Sequence, residues 1–89
     1  PDEHEIAEII APKGVIGRTI EDIGFRNKYE MTLITIKRAY EVTKNGEDTT
    51  EEHIIGVPKS ETPIKESDTL VVFGAAKSVQ RFIEINESL

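Results

Sequence analysis

Cysteine and tryptophan are absent from this chain of 89 residues, and histidine, tyrosine and phenylalanine number only 2, 2 and 3. Without cysteine there is no disulfide framework, thiol nucleophile or thiolate zinc site, so a metal would need His or carboxylate ligands. Basic residues are also scarce: 11 Lys and Arg stand against 17 Asp and Glu, a formal charge of −6 with the histidines neutral. That balance opposes polyanions at long range. Nucleic acid and anionic membrane surfaces are therefore poor partners unless the basic residues cluster on one face. Long apolar runs are missing as well. Runs such as Leu70 to Phe73 fall far short of the roughly 20 residues needed to cross a bilayer, and no basic start followed by an apolar stretch marks a signal peptide. The chain opens Pro1-Asp2-Glu3-His4 with no methionine, as a domain excised from a longer chain does. A domain of this length buries only about 60 to 65% of its extended-chain surface, and a partner often completes such a core. The expectation is one domain over residues 1–89, part of a longer chain and dimeric.

The patterning that is present reads as strands and two helices. His4 to Ala11, with Ile6, Ile9 and Ile10 among Ala and Glu, reads as a strand, and Glu8 between apolar residues suggests a sheet edge. Gly17 to Ile23 reads as a helix start: Thr19 is a good N-cap, and Glu21 and Asp22 place acid in the first turn. Gly24 ends or bends it, and Phe25 to Tyr29 makes a further turn with its two aromatics four apart. Met31 to Val42 is β-branched and aromatic, the best strand in the chain. Asn45-Gly46 predicts a hairpin, with a returning strand over Glu52 to Val57 that Pro58 stops. A polar loop from Lys59 to Asp68 precedes the short strand Leu70 to Phe73, and Val79, Phe82, Ile83 and Asn86 form the stripe of a closing helix. The order strand-helix-strand-strand-strand-helix predicts an α+β fold of two layers, a mostly antiparallel sheet with two helices on one face.

Reactive chemistry is thin. No Gly-x-x-x-x-Gly-Lys-Ser/Thr loop, three-glycine dinucleotide pattern or Gly-x-Ser-x-Gly elbow occurs. Glu51, Glu52 and His53 are consecutive on a strand, alternate faces and cannot all converge on a metal, so they read as a solvated acidic strand start. Lys37 and Arg38 are the adjacent basic pair, point to opposite faces, and read as an exposed strand end. An enzyme needs a convergent acid–base pair, and none is legible.

Three stretches together carry a family resemblance: Gly17-Arg18-Thr19-Ile20-Glu21-Asp22-Ile23, Phe25-Arg26-Asn27-Lys28-Tyr29, and Thr32-Leu33-Ile34-Thr35-Ile36-Lys37-Arg38. Pro58, Thr62, Ile64, Ser67-Asp68 and Thr69 to Gly74 follow in matching order. From about Ile6 to Phe82 the chain resembles the TrkA C-terminal domain, or RCK-C, a regulatory lobe of potassium-conductance regulators. It departs from the family pattern at Glu30 and Ser67, where Gly is common, at Thr32, where many members have Asn, and in a longer stretch between Lys37 and Pro58.

The resemblance implies a non-enzymatic, cytoplasmic sensor domain at the inner face of the membrane. It would be a homodimer acting on a membrane potassium or cation channel or transporter subunit, or on its own membrane portion, with no nucleic-acid partner. It implies no resident cofactor, only a small nucleotide effector such as cyclic di-AMP held between lobes. Carried over by motif, Ile20, Leu33 and Ile34 would pack the adenines, Arg26 would meet phosphate beside backbone N–H groups, Thr32 would hydrogen-bond, and Pro58 would line the cleft. Each has a plainer reading. Ile20 and Ile34 suit a core, Arg26 suits a surface pair with Glu21, Asp22 or Glu30, Thr32 suits any strand, Pro58 suffices as a strand terminator, and His53 suits an exposed position. The alternative function is a structural dimerisation or docking module of a transporter, without effector binding.

Overall fold

The computed structural model describes residues 3–88. Four strands, β1 (His4–Ile10), β2 (Thr32–Lys44), β3 (Glu47–Ile54) and β4 (Thr69–Ala75), form one antiparallel sheet in the order β1-β4-β2-β3. Helices α1 (Ile20–Ile23), α2 (Phe25–Tyr29) and α3 (Ala76–Glu87) cover one face, giving the two-layer α+β fold that the patterning predicts. The helical segment before β2 is broken in two. Thr19 caps α1 by accepting from the Asp22 N–H at 3.2 Å, and Gly24, with φ +72°, turns the chain into α2. Gly17 and Arg18 lie outside the helix.

The core sits between α2, α3 and the inner face of β4 and β2. Phe25 and Tyr29 are four apart on α2, so both point inward, while Arg26, Asn27 and Lys28 between them face solvent. Phe82 of α3 is fully buried against both, with ring centroids 5.3 Å from Phe25 and 4.9 Å from Tyr29, the latter edge to face. Leu70 and Val72 complete the floor. Of the predicted α3 stripe, Val79, Phe82 and Asn86 are buried and Ile83 is partly so. The Asn86 amide nitrogen donates to the Phe82 carbonyl at 2.8 Å and the Tyr29 hydroxyl at 3.3 Å, while its buried Oδ1 accepts no bond among the described residues.

Two expectations need correction. The returning strand begins at Glu47, not Glu52, and ends at Ile54 rather than Val57. The turn residues Asn45 and Gly46 have φ of 53° and 80°, which suits a two-residue hairpin, so pairing starts at once with Lys44 opposite Glu47. Residues 47 to 52 are polar because this arm is exposed on both faces, and no apolar alternation announces it. Arg38 is not an exposed strand end. Its side chain is 13% exposed and donates from Nε and Nη2 to both carboxylate oxygens of Asp68, at 2.9 and 2.8 Å. Lys37 does point to the other face, where it donates to Glu8 at 2.9 Å.

The departures at Glu30 and Ser67 have a backbone cost. Both sit in the left-handed region, with φ of 57° and 68°, where glycine carries no Cβ penalty. Glu30→Gly and Ser67→Gly are each expected to raise unfolding stability by about 0.5–1 kcal/mol, read as a higher urea midpoint at unchanged slope.

Candidate functional site

A groove of about 360 Å³ opens where α1, α2, the start of β2 and the loop after β3 meet. Ile20, Met31 and Leu33 supply its apolar surface, Pro58 and Ser60 one wall, and Glu21, Arg26, Asn27 and Thr32 its polar groups. Ile20, Arg26, Thr32, Leu33 and Pro58 thus come together, although they are spread over 38 positions of sequence (58 less 20).

Ile34 does not border this groove. The β2–β4 pairing shifts between Leu33 and Thr35, so Ile34 is the extra residue of a bulge and stands 42% exposed. A regular strand would have kept Leu33 and Ile34 on opposite faces in any case.

Backbone hydrogen bonds fix the Pro58–Ser60 wall against α1. Ile20 N–H donates to the Thr62 carbonyl at 3.0 Å and Glu21 N–H to the Ser60 carbonyl at 2.9 Å. Gly17 and Arg18 make further bonds with Ile64 of this loop, Gly17 N–H to Ile64 O at 2.7 Å and Ile64 N–H to Arg18 O at 3.0 Å. These contacts, with the Thr19 cap on Asp22 N–H, occupy the first-turn donors of α1, so they are not free to meet an anion. Arg26 is the cation of the groove. It is exposed and makes no ion pair among the described residues.

The surface pair considered for Arg26 is made instead by Arg18, whose Nε donates to Asp22 at 2.7 Å and holds the Asp22 carboxyl below its usual range. A group with a depressed folded pKa contributes stability above its unfolded value and loses it as pH falls through the folded one. An NMR titration of Asp22 should therefore show a midpoint below that of a free aspartate, and Arg18→Ala should move it up.

The far end of the loop is held by Asp68, fully buried. Besides Arg38 it accepts the Lys65 N–H at 2.8 Å, and Arg38 Nη2 also donates to the Pro63 carbonyl at 3.1 Å. His53 lies away from the groove on the exposed arm, edge to face with Tyr40 at 5.3 Å and 3.2 Å from Glu51. Among the described residues no cluster of three or more His, Asp or Glu could hold a metal, and no helix is long and apolar enough to cross a membrane.

A family model for the TrkA-C domain matches residues 5–86. The chain belongs to the TrkA-C domain family. Ktr system potassium uptake protein C of Bacillus subtilis (strain 168) is 31% identical over 81 residues, covering 91% of this TrkA-C domain and 31% of that protein. Ktr system potassium uptake protein A of the same organism is 30% identical over the same shares. The chain therefore spans less than a third of the length of these curated relatives. Among solved structures, the KtrA RCK C domain in complex with cyclic diadenosine monophosphate superposes with a TM-score of 0.68 at 26% identity, covering 93% of this chain and 84% of that one. The GsuK channel bound to NAD gives 0.70 at 16% identity, over 97% of this chain and 14% of that one, a likeness of fold.

Sequence reasoning missed Glu21, Asn27, Met31 and Ser60 in the groove, and the Arg38–Asp68 pair. Asn27 had a signal, its place beside Arg26 on α2. Ser60 had none, because a hydrogen bond between segments remote in sequence, from the Glu21 N–H to its carbonyl, sets it beside α1.

Proposed function

We propose that this TrkA-C domain is a non-enzymatic regulatory domain of a potassium or other cation transport system. It acts at the cytoplasmic face of the membrane beside a channel or transporter subunit, as one domain of a longer chain, and dimerises to take an anionic effector of the cyclic di-AMP type between lobes. The observation that carries this reading is the groove. It gathers one unpaired guanidinium, apolar surface from Ile20, Leu33 and Pro58, and the Thr32 hydroxyl in a chain 26% identical to a KtrA RCK C domain solved with that nucleotide.

Two-fold pairing duplicates Arg26 and supplies two cations to a ligand with two phosphates, by charge-assisted hydrogen bonds. The apolar residues receive the bases, and the effector biases the transporter by its differential affinity for two mutual arrangements of the lobes. A docking module without effector would be better served by a cleft filled with side chains, and the open groove favours the sensor.

Titration calorimetry with cyclic di-AMP tests the reading. Arg26→Ala is expected to weaken binding by about 150-fold or more, because the homodimer loses two charged hydrogen bonds worth about 1.5–3 kcal/mol each. Its thermal stability should stay within about 0.5 kcal/mol of wild type, because the side chain is exposed and unpaired. A folded wild-type dimer that gives no heat would sink the sensor reading in favour of the docking module.

A further inference from the structure

The helices cover one face of the sheet and leave the opposite face open. Alternation along β1 turns Ile6 and Ile10 outward, 66% and 71% exposed, and the register sets Phe73, 43% exposed, beside Ile6. Ile54, 65% exposed and opposite Lys37, extends the same face onto β3. Ile6 and Phe73 are adjacent, Thr69 and Lys37 separate Ile10 from Ile54, and the Glu8–Lys37 pair lies among them. A single exposed isoleucine needs no explanation, but four large apolar side chains on one sheet face mark a contact surface.

The charges that continue this face along the arm have one sign. By strand alternation Glu41 of β2 and Asp48 and Glu52 of β3 share the side of Lys37, and the Lys37 ammonium is already engaged by Glu8 at 2.9 Å. Asp48 accepts the Thr43 hydroxyl at 2.8 Å, which leaves its charge uncompensated, and Glu41 and Glu52 make no ion pair among the described residues.

This distribution discriminates between occupants. A second copy laid face to face would bring acidic surfaces of a −6 chain together, and like charges repel more strongly as water leaves the contact. Two β3 edges meet the same obstacle, since Glu47, Asp48, Glu51 and Glu52 line each. A partner with an apolar side and a basic end meets none.

We propose that the open sheet face is a docking surface for an amphipathic, Lys- and Arg-bearing segment of a membrane transport protein, its apolar side on Ile6, Ile10 and Phe73 and its basic end over Glu41, Asp48 and Glu52. The choice of partner rests on the reading under Proposed function, because the cytoplasmic segments of membrane proteins carry an excess of Lys and Arg. The face adjoins the groove at Thr32, which lines the groove and pairs with Phe73.

The probe is a synthetic amphipathic peptide of about five helical turns, leucine on one side and lysines at one end, compared with a scrambled peptide of the same composition. Fluorescence anisotropy measures affinity and amide NMR shifts locate the contact, for wild type, Ile6→Glu and the double variant Glu41→Lys, Glu52→Lys, with Ile10→Glu replacing Ile6→Glu should the latter fail to fold. Shifts confined to β1, β4 and the arm are expected. Each variant should bind at least about tenfold more weakly, a change of about 1.4 kcal/mol, and keep its affinity for cyclic di-AMP. Equal binding of the scrambled peptide, shifts spread over the whole acidic surface, or unchanged affinity in the variants would overturn the proposal. So would a wild-type dimer that Ile6→Glu makes monomeric in sedimentation, which would give the face to a second copy. Loss of cyclic di-AMP binding in wild type with the peptide result intact would count against the groove reading alone.

Discussion

Asp68→Ala is expected to destabilise the domain by about 3–5 kcal/mol, the cost of breaking a buried ion pair from one side. Asp68 is fully buried and accepts two bonds from Arg38 and one from the Lys65 N–H. Its removal leaves a largely buried guanidinium without its counter-charge and a peptide donor without an acceptor. Domains of this size have about 5–15 kcal/mol in total, so the variant should show a much lower urea midpoint and partial unfolding near body temperature. The loss should reach the groove. The loop that Asp68 anchors supplies the carbonyls of Thr62 and Ser60 to the Ile20 and Glu21 amides, and those two amides should exchange hydrogen faster. Asp68→Asn keeps an acceptor for Lys65 and should cost less. Arg38→Leu combined with Asp68→Asn should be milder than the sum of the two single changes, because each single change strands a partner that the double variant no longer contains. Additive costs would show that the pair is not coupled.

Phe82→Ala is expected to cost a similar amount, about 3–5 kcal/mol, by a different route. The ring has no exposed surface and joins α3 to α2 through Phe25 and Tyr29. Truncation removes the transfer energy of the ring and two aromatic contacts, and leaves a cavity that the sheet behind cannot collapse to fill. Phe82→Leu should cost less because it fills part of the space. The consequence for the groove is positional: α2 is a helix of only 5 residues held by its two inward aromatics, and Arg26 projects from its outer side. In Phe82→Ala effector affinity should fall together with stability, whereas Arg26→Ala should lower affinity alone. A Phe82→Ala protein with full stability would contradict the packing described.

Much of the architecture was legible in local chemistry. Thr19 as a cap, Gly24 as a left-handed break, Asn45-Gly46 as a hairpin turn and the Val79–Phe82–Asn86 stripe are each set by neighbours within about one turn, and each is found in place. The arm was legible only at its turn, because a strand exposed on both sides carries no apolar alternation. Ile34 lies outside the groove that Leu33 lines, as strand alternation alone requires, and only the pairing of β2 with β4 shows the bulge there.

The order of strands and helices, the absence of thiol chemistry and the family motifs were determined by the sequence alone, through turn residues, periodicity and composition. Which charges meet was decided only by the tertiary structure. Arg38 and Asp68 are 30 residues apart and pair because β2 and the loop before β4 are folded onto each other, while Asp22 pairs with Arg18 and Arg26 makes no ion pair among the described residues. Ion pairing depends on distances between segments remote in sequence, and no local propensity encodes those distances.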